Sequence, residues 1–404
     1  MVRDAAGVPE GQPGQAAPLT PEQVRLLLSP AGRAAVEHAA SLDLSPAARL
    51  PTAESVRAAA GPVLGPLALE QAVLKSRARA KHPHGDRLWW TGEALEQASS
   101  YDVAVHRAGR FAGAARVLDL CCSVGGDLLP LAAVAPAVGV DLDEARLLLA
   151  RENARVLDTE IGLVRADVTR LDPAGTVFAD PARRSGGRRV FDARAYTPPL
   201  DLVLGWLPRL DALGVKVAPG IHYDVLPETL EVEVVSLRGE VKEAVLWGGA
   251  ARRGPARTAT LLPAGDVLTA AGAPPPPVAP PGRYLLDPDG AVVRAHLVAE
   301  LAAKLDGWLL DPTIAYVSAD APAPTPFGRW YAVLETLPFG LKPLRERLRA
   351  RDAGPLVVKK RGTAVEPEQL RRQLKLTGSR EVTVVLTRSS GRQVAMVVEP
   401  VRAG

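Results

Sequence analysis

One run of apolar and small residues is the strongest structural signal in the chain. An apolar segment, 117–120, predicts a buried strand, and a turn of small residues follows it. Asp127 then precedes a second apolar segment, 128–135, and is predicted to cap a helix of about two turns. A third segment, 137–140, predicts another buried strand and ends on Asp141. Strand, turn, helix, strand and acid form the βαβ unit that binds nucleotides, although an ordinary βαβ crossover is the alternative.

The pattern outside this unit predicts several domains. Residues 1–18 are rich in Gly, Pro, Ala and Gln and predict a disordered tail. Residues 19–112 have helical periodicity interrupted by Pro and Gly, which predicts a small helical domain. Strands and helices alternate through residues 113–270 and end in an antiparallel edge. Residues 271–282 predict a stiff proline-rich linker or a long surface excursion, and residues 283–404 predict a mixed α+β domain.

Composition narrows the class of protein. The chain of 404 residues is 47% apolar and 23% charged with a net charge of +4, so contact with a polyanion requires local clusters. The only cysteines, Cys121 and Cys122, are adjacent, which excludes a disulfide framework and predicts a cytoplasmic location. The histidines and cysteines lack zinc-binding spacing, so no metal is predicted. No apolar run reaches membrane length, so no membrane contact is predicted.

The turn sequence DLCCSVG favours one cofactor over another. A dinucleotide-binding turn requires glycine where this chain has Cys121, Ser123 and Gly126, because a pyrophosphate presses on the backbone. Side chains at the first two places are tolerable beside an amino-acid tail and a single nucleoside. The segment resembles the first motif of class I S-adenosylmethionine (SAM)-dependent methyltransferases, D-x-G-x-G-x-G, with Asp119 and Gly125 retained. The resemblance implies SAM as the cofactor.

The same resemblance implies further cofactor contacts. Asp141, at the tip of the second strand, is expected to accept hydrogen bonds from the ribose hydroxyls. Asp167, at the tip of the third, resembles the acid that accepts from the adenine amino group, although exposed loop acids are common. The polar helix around Gln97 resembles the helix that floors the pocket in several RNA methyltransferases, although a surface helix is the alternative. The implied cofactor-binding residues are Asp119, Cys121, Ser123, Gly125, Asp141, Asp167 and Gln97.

A second motif follows the fourth predicted strand. Asp180-Pro181-Ala182-Arg183 resembles the D/N-P-P-x motif of methyltransferases that act on amino or ring nitrogens, with Ala182 in place of a proline and Arg183 in place of an aromatic residue. A carboxylate and a rigid carbonyl can hold the target nitrogen so that its lone pair points at the methyl group. The resemblance implies catalytic roles for Asp180 and Pro181, and Arg183 is expected to stack on the substrate or to bind a phosphate. A strand stopped by proline is the alternative.

The last third of the chain carries a basic cluster. Its element order resembles the THUMP-like domain attached to predicted RNA methyltransferases. Within residues 342–375, eleven Lys or Arg stand against four acids, with Lys359, Lys360 and Arg361 at the centre. The resemblance implies an RNA partner, contacted by these three residues and by a basic helix over residues 342–351. An ordinary solvated basic face is the alternative.

The sequence therefore predicts an α/β fold: a Rossmann-like class I methyltransferase sheet with an N-terminal helical domain and a C-terminal α+β THUMP-like domain. The predicted activity is SAM-dependent methylation of a base nitrogen in structured RNA, either tRNA or rRNA. Two alternatives stay open. One is a methyltransferase for a small molecule or a protein, and the other is an RNA-binding protein whose catalytic domain has decayed, as Cys121, Ser123 and Ala182 suggest.

Overall fold

The computed structural model describes residues 18–183 and 196–401, which form two compact units. Among these residues, the first unit comprises 18–183 and 196–212, and the second comprises 213–401. The division falls inside a strand, Leu210–Val217. The domain boundaries expected from the sequence lie elsewhere and stay a prediction. In the described residues, no helix is both long enough and apolar enough to span a bilayer.

The first unit combines helices with a parallel sheet. Its helices are α1 (Pro21–Leu28), α2 (Pro30–Ala40), α3 (Arg49–Ala78), α4 (Gly92–Gln97), α5 (Tyr101–Ala108), α6 (Leu128–Ala132), α7 (Glu144–Val156) and α8 (Leu200–Gly205). Its strands are β1 (Val117–Leu120), β2 (Ala137–Asp141), β3 (Gly162–Arg165), β4 (Gly175–Ala179), β5 (Ala182–Arg183) and β6 (Tyr196–Thr197). The parallel strands have the order β4-β1-β2-β3, and β5 pairs antiparallel with β6. The predicted βαβ unit is therefore confirmed.

The N-terminal helices share a hydrophobic core with the βαβ unit. Helix α1 begins after Thr20, which forms a reciprocal capping box with Gln23. Buried residues of α1, α2 and α3 pack in one cluster with Val124 of the turn and with Ala145 and Leu149 of α7. Ion pairs from α1 and α2 to α7 reinforce this packing. Because its apolar face is covered by α7, the helical region supports the turn directly.

The second unit contains two sheets. Its strands are β7 (Leu210–Val217), β8 (Glu231–Leu237), β9 (Glu240–Gly249), β10 (Arg257–Leu262), β11 (Asp266–Thr269), β12 (Tyr284–Pro288), β13 (Trp308–Leu309), β14 (Val317–Ala319), β15 (Gly328–Pro338), β16 (Ala353–Lys360), β17 (Arg380–Ser389) and β18 (Arg392–Pro400). Its helices are α9 (Gly290–Arg294), α10 (Val298–Lys304), α11 (Leu341–Ala350) and α12 (Pro367–Leu374). The strand orders are β11-β10-β8-β9-β7 and β13-β14-β12-β15-β18-β17-β16.

Antiparallel pairs occur in both sheets of the second unit. Strands β8 and β9 pair antiparallel inside the first sheet, and β10 and β11 do so at its edge, where the sequence predicts an antiparallel edge. Strands β17 and β18 form an antiparallel hairpin in the second sheet. Helices α11 and α12 cover the last sheet through Leu344, Leu348, Leu370 and Leu374, all nearly or fully buried. The proline-rich segment lies along β13, where the N–H of Leu309 donates to the carbonyl of Pro277 at 2.9 Å. The segment is thus hydrogen-bonded to a sheet edge.

The turn between β1 and α6 adopts the left-handed backbone conformation at alternate residues. The φ angle is 68° at Cys121, 51° at Ser123 and 92° at Gly125. These are the three glycine places of the D-x-G-x-G-x-G motif, and glycine is favoured there because a Cβ atom makes this conformation costly. Here the conformation persists with side chains at two of them. Backbone hydrogen bonds hold it, because the N–H groups of Cys121 and Cys122 both donate to the carbonyl of Val140, at 2.8 and 3.1 Å.

Substitutions in this turn are expected to change stability in opposite directions. Ser123→Gly should raise the free energy of unfolding by about 0.5–1 kcal/mol, because relief of the left-handed strain exceeds the entropy that glycine adds to the unfolded chain. Gly125→Ala should lower it by about 1–2 kcal/mol. A Cβ at Gly125 would meet the nearest atom at 3.6 Å, so the loss would come from the backbone and not from a clash. Denaturant unfolding of both variants checks the prediction, and a stabilising Gly125→Ala would contradict it.

Candidate cofactor site

A pocket in the first unit lies where the parallel strands end. Six residues that the sequence predicted as site residues line it: Gln97, Cys121, Ser123, Asp141, Asp167 and Asp180. The acids come together because each follows or ends one of the strands β2, β3 and β4, and the carboxyl ends of parallel strands meet at one edge of a sheet. Asp119, Gly125 and Pro181 do not line the pocket. The side chain of Arg183 lies outside the described part of the structure.

The Asp141 carboxylate joins the end of β2 to the turn after β1. One oxygen accepts from the N–H of Ser123 and the other from the N–H of Asp143, both at 2.9 Å. The charge of the carboxylate makes these hydrogen bonds stronger than neutral ones. Each oxygen has a further lone pair that can accept from a ligand hydroxyl. Asp141 therefore fixes the turn and can bind a ribose at the same time.

The far wall of the pocket is made by residues after β2 and β3. The hydroxyl of Thr169 donates to Asp167 at 2.6 Å and the N–H of Thr169 donates at 2.9 Å. These hydrogen bonds hold the pKa of Asp167 below its ordinary value, so the acid is ionised at neutral pH. Leu142 also lines the pocket and is 61% exposed. An exposed leucine beside a polar rim offers apolar surface to a flat ring.

Helix α4 is anchored to the pocket by a cation that the sequence did not indicate. Arg146, on α7, pairs with Glu93 at 2.6 Å and lies 3.5 Å from the Ser123 hydroxyl. Gln97 donates to the same glutamate at 3.1 Å. Residues Ala94 and Gln97 of the predicted polar helix thus line the pocket. The sequence signal for Arg146 was only its position in the first turn of the helix that follows Asp141, and many residue types would be tolerated at that position.

Asp127 does not cap α6 as predicted. It occupies the N-cap position, but its side chain makes no capping hydrogen bond. Instead it pairs with Arg107, a buried arginine of α5 whose guanidinium also lies 4.9 Å from the ring centre of Phe178. A buried arginine without an acid would leave an uncompensated charge, so the pairing is favoured over capping. Sequence spacing gave no indication of this contact because it joins two separate helices.

Asp119 is an isolated buried acid beneath the pocket. Its side chain is fully buried, and neither carboxyl oxygen has a hydrogen-bond partner among the described residues. Burial raises the pKa of Asp119 well above its ordinary value; Asp127, Asp180 and Asp141 raise it further, and Arg107 opposes them. A buried carboxyl group without a partner, surrounded by other acids, suits a ligand that carries a positive charge, as the sulfonium of SAM does. The residues present therefore fit SAM.

The motif after β4 is held by backbone pairing. The N–H of Asp180 donates to the carbonyl of Leu120 at 3.3 Å, which places the acid beside the end of β1. Ala182 pairs with Thr197, and both line the pocket. Proline and β-ladder together leave this segment little freedom, so the Asp180 carboxylate has a defined position.

The two cysteines in the turn are not nucleophiles. Burial raises the pKa of Cys121 to about 12, and it raises the pKa of Cys122 further. The thiolate is the reactive form of cysteine, so both side chains are inert near neutral pH. Residues 18–183 and 196–401 contain no group of three His, Cys, Asp or Glu side chains that could hold a metal ion.

The central basic cluster of the second unit is engaged in ion pairs within the protein, and its contact with RNA stays a prediction. Lys359 and Arg361 both pair with Asp287, at 2.7 and 2.9 Å, and Lys360 pairs with Glu366 at 2.7 Å. Lys359 and Arg361 are also packed over tyrosine rings. Their acid lies far away in the sequence, on β12, so a count of charges along the chain could not reveal it.

The basic helix α11 is neutralised only in part. Glu335 pairs with Arg347 at 3.0 Å and with Arg351 at 3.2 Å. Arg345 donates to the carbonyl of Gln373 on α12 at 2.6 Å. Lys342 and Arg349 are exposed and have no ion-pair partner in the described part of the chain.

Comparisons with known proteins agree with this architecture. The THUMP domain-like family model matches residues 328–400, and the model of a domain of unknown function (DUF8688) matches residues 20–80. A solved structure of a candidate methyltransferase from Porphyromonas gingivalis W83 is 21% identical, covers 95% of both chains and has a TM-score of 0.70. This similarity supports the fold over nearly the whole chain. The predicted methyltransferase fold with a helical N-terminal region and a THUMP-like C-terminal domain is confirmed.

Two relatives from Mycobacterium tuberculosis, in strains CDC 1551 and H37Rv, each bear the name of an uncharacterized S-adenosylmethionine-dependent methyltransferase. Each is 42% identical over 337 residues, which is 80% of this chain and 92% of the relative. This level of identity over most of both chains also confirms the predicted cofactor. The chain belongs to the SAM-dependent methyltransferases and carries a THUMP-like domain at its C-terminal end.

Proposed function

We propose that this methyltransferase modifies a base nitrogen in structured RNA, either tRNA or rRNA. The observation that carries the proposal is the convergence of Asp141, Asp167 and Asp180 in one pocket of a chain that also has a THUMP-like domain. We further propose that the chain divides into five segments: a tail (1–18), a helical domain (19–112), the methyltransferase domain (113–270), a proline-rich segment (271–282) and the THUMP-like domain (283–404). The cytoplasmic location stays a prediction.

The roles of the pocket residues follow from their positions. SAM, when bound, supplies a methyl group activated by its sulfonium. Asp141 binds the ribose through its remaining lone pairs, and Asp167 and Leu142 form the adenine end of the pocket. Cys121, Ser123 and Gly125 hold the turn close to the ligand, and Gln97 closes the floor. Asp119 lies beneath the pocket and contributes charge.

Catalysis in this site depends on positioning. The leaving group is already cationic, so a strong base is not required. We propose that the Asp180 carboxylate and the Pro181 carbonyl accept hydrogen bonds from the target amino or ring nitrogen and so direct its lone pair. Arg183 is proposed to stack on the target or to bind a neighbouring phosphate. The turn keeps its left-handed conformation despite Cys121 and Ser123, which favours a competent site over a decayed one.

We propose that a second surface also contacts the RNA, because the cations of the central cluster are engaged in ion pairs within the protein. Lys342, Arg345 and Arg349 lie on one face of α11, since they are three and four residues apart. Arg345 bonds Gln373 of α12, which brings this face beside the end of α12. Exposed cations of α11, of α12 and of the residue that caps the C-terminus of α12 therefore form one basic surface, called here the helix-pair surface: Lys342, Arg349, Arg372 and Lys375. None of them has an ion-pair partner among the described residues.

Loss of the ribose contact should weaken cofactor binding. Asp141→Ala is expected to weaken SAM binding by about 1.5–3 kcal/mol, or roughly ten- to a hundred-fold, because it removes charge-assisted hydrogen bonds. Calorimetric titration measures the effect. Asp143→Ala is the matched control: Asp143 caps α7 and does not line the pocket, so this variant should lose stability but keep its SAM affinity. An Asp141→Ala variant that bound SAM like the wild type would contradict the assignment of this pocket to SAM.

Loss of the positioning acid should affect turnover and not binding. Asp180→Ala is expected to leave SAM affinity nearly unchanged and to lower single-turnover methylation of RNA by about a hundred-fold or more. The two measurements are calorimetry with SAM and transfer of labelled methyl groups to total RNA. If affinity and turnover fell by the same factor, Asp180 would be a cofactor ligand and not a catalytic residue.

Charge reversal on the helix-pair surface should weaken RNA binding through its salt dependence. The double variant Arg349→Glu, Lys375→Glu is expected to reduce the slope of log affinity against log salt by about two units, because each phosphate contact releases counterions. Filter binding of total tRNA over a salt series measures this slope. Lys304→Glu, Arg329→Glu makes the same charge change at exposed positions elsewhere and should leave the slope unchanged. An unchanged slope in the first variant would favour a small-molecule or protein substrate.

A further inference from the structure

The pocket has an excess of acids around one buried group. Asp127, Asp141 and Asp180 line it, and Asp119 lies beneath them, within the strand that leads into the turn. Arg107 is a cation that lowers the pKa of Asp119, but it is already paired with Asp127. Asp141 is held by two backbone N–H groups. Asp119 has no such support, because neither of its oxygens has a hydrogen-bond partner among the described residues.

An ionised carboxylate is expensive in such a position. Desolvation disfavours the charged form, and nearby like charges disfavour it further. The charged groups that influence Asp119 come from every neighbouring element: Asp141 at the end of β2, Asp180 after β4, Asp127 before α6 and Arg107 on α5. The adjacent thiols of the turn are neutral. Without a cation in the pocket, the protonated form of Asp119 is favoured.

A bound sulfonium changes this balance. A positive charge within a few ångströms favours the ionised form of a carboxyl group, by about one to three pKa units in comparable pairs. S-adenosylhomocysteine (SAH), the product of methyl transfer, has the same nucleoside and amino-acid parts but a neutral thioether. Only the sulfonium therefore distinguishes the two ligands electrostatically.

We propose that Asp119 holds a proton in the SAM-free pocket and releases it to solvent when SAM binds, so that this residue selects SAM over SAH. The inference rests on the proposed assignment of this pocket to the cofactor. In this proposal, Asp119 lies beneath the site, changes its protonation with the charge of the bound ligand and makes no direct contact with the ribose. Once methyl transfer removes the sulfonium charge, Asp119 takes up a proton from solvent again, which removes the attraction that would retain the product.

The direction in which SAM affinity changes with pH follows from this proton release. Because SAM binding releases a proton, SAM affinity should rise with pH, by up to about tenfold per pH unit, as long as Asp119 is protonated in the free protein and ionised in the complex. SAH affinity should lack this contribution. Changes in affinity with pH that arise from the amino-acid part, which the two ligands share, are equal for SAM and SAH and cancel when the two are compared.

The test is calorimetric titration of the full chain with SAM and with SAH at pH 7, in two buffers of different ionisation enthalpy. We expect release of about one proton per SAM and close to none per SAH. In Asp119→Asn the release should disappear and SAM affinity should fall about tenfold or more, with SAH affinity within about twofold of wild type. Thermal unfolding of this variant checks its fold, and the wild-type comparison of the two ligands does not depend on it.

Leu142→Ala is the matched control, because Leu142 carries no charge and the adenine end of the pocket is common to both ligands. It should weaken SAM and SAH by the same factor and keep the difference in proton release. Equal proton release with SAM and SAH in the wild type, or continued release in Asp119→Asn, would overturn the role of Asp119 and leave the pocket assignment intact. Failure of both ligands to bind the wild type would overturn the proposed function, and this inference with it.

Discussion

The site depends on the hydrogen bonds that the Asp141 carboxylate accepts. This carboxylate accepts N–H hydrogen bonds from Ser123 in the turn and from Asp143 ahead of α7, so a single side chain fixes two loops. The turn needs this support because Cys121 and Ser123 adopt a backbone conformation that favours glycine. A sequence with three glycines would reach the same turn without strain. This chain reaches it through hydrogen bonds to β2 and through packing of Val124 against the N-terminal helices.

The sequence predicted the parts of the site that depend on strand order. An acid that follows a buried parallel strand must lie at the carboxyl edge of the sheet, so Asp141, Asp167 and Asp180 could be placed in one pocket without any knowledge of packing. Gln97 was placed by resemblance alone, and it does line the pocket. Such predictions succeed because they need only the direction and the end of each element.

Contacts between distant elements could not be predicted in this way. Asp127 looked like a helix cap because a polar residue before an apolar segment usually is one, but a buried arginine from α5 required it as a counterion. Lys359 and Arg361 looked like a free basic cluster, but both pair with Asp287 of β12. In each case the deciding partner was more than fifteen residues away, and its proximity arises only when the core is packed. Local charge counts therefore overestimated the free positive charge of the C-terminal domain.

Charge is distributed in the chain according to the two ligands that a SAM-dependent RNA methyltransferase would bind. The pocket contains carboxylates, which suit a cationic cofactor, and the helix-pair surface contains lysine and arginine, which we propose to bind a polyanion. These requirements conflict within a single site, because a phosphate near Asp141 and Asp180 would be repelled, and a sulfonium near α11 and α12 would be equally unfavourable. In the proposed function, recognition of RNA by an accessory domain removes the conflict, because residues other than the acids of the cofactor pocket bind the phosphates. Only the target base, which carries no phosphate charge, then has to approach Asp180.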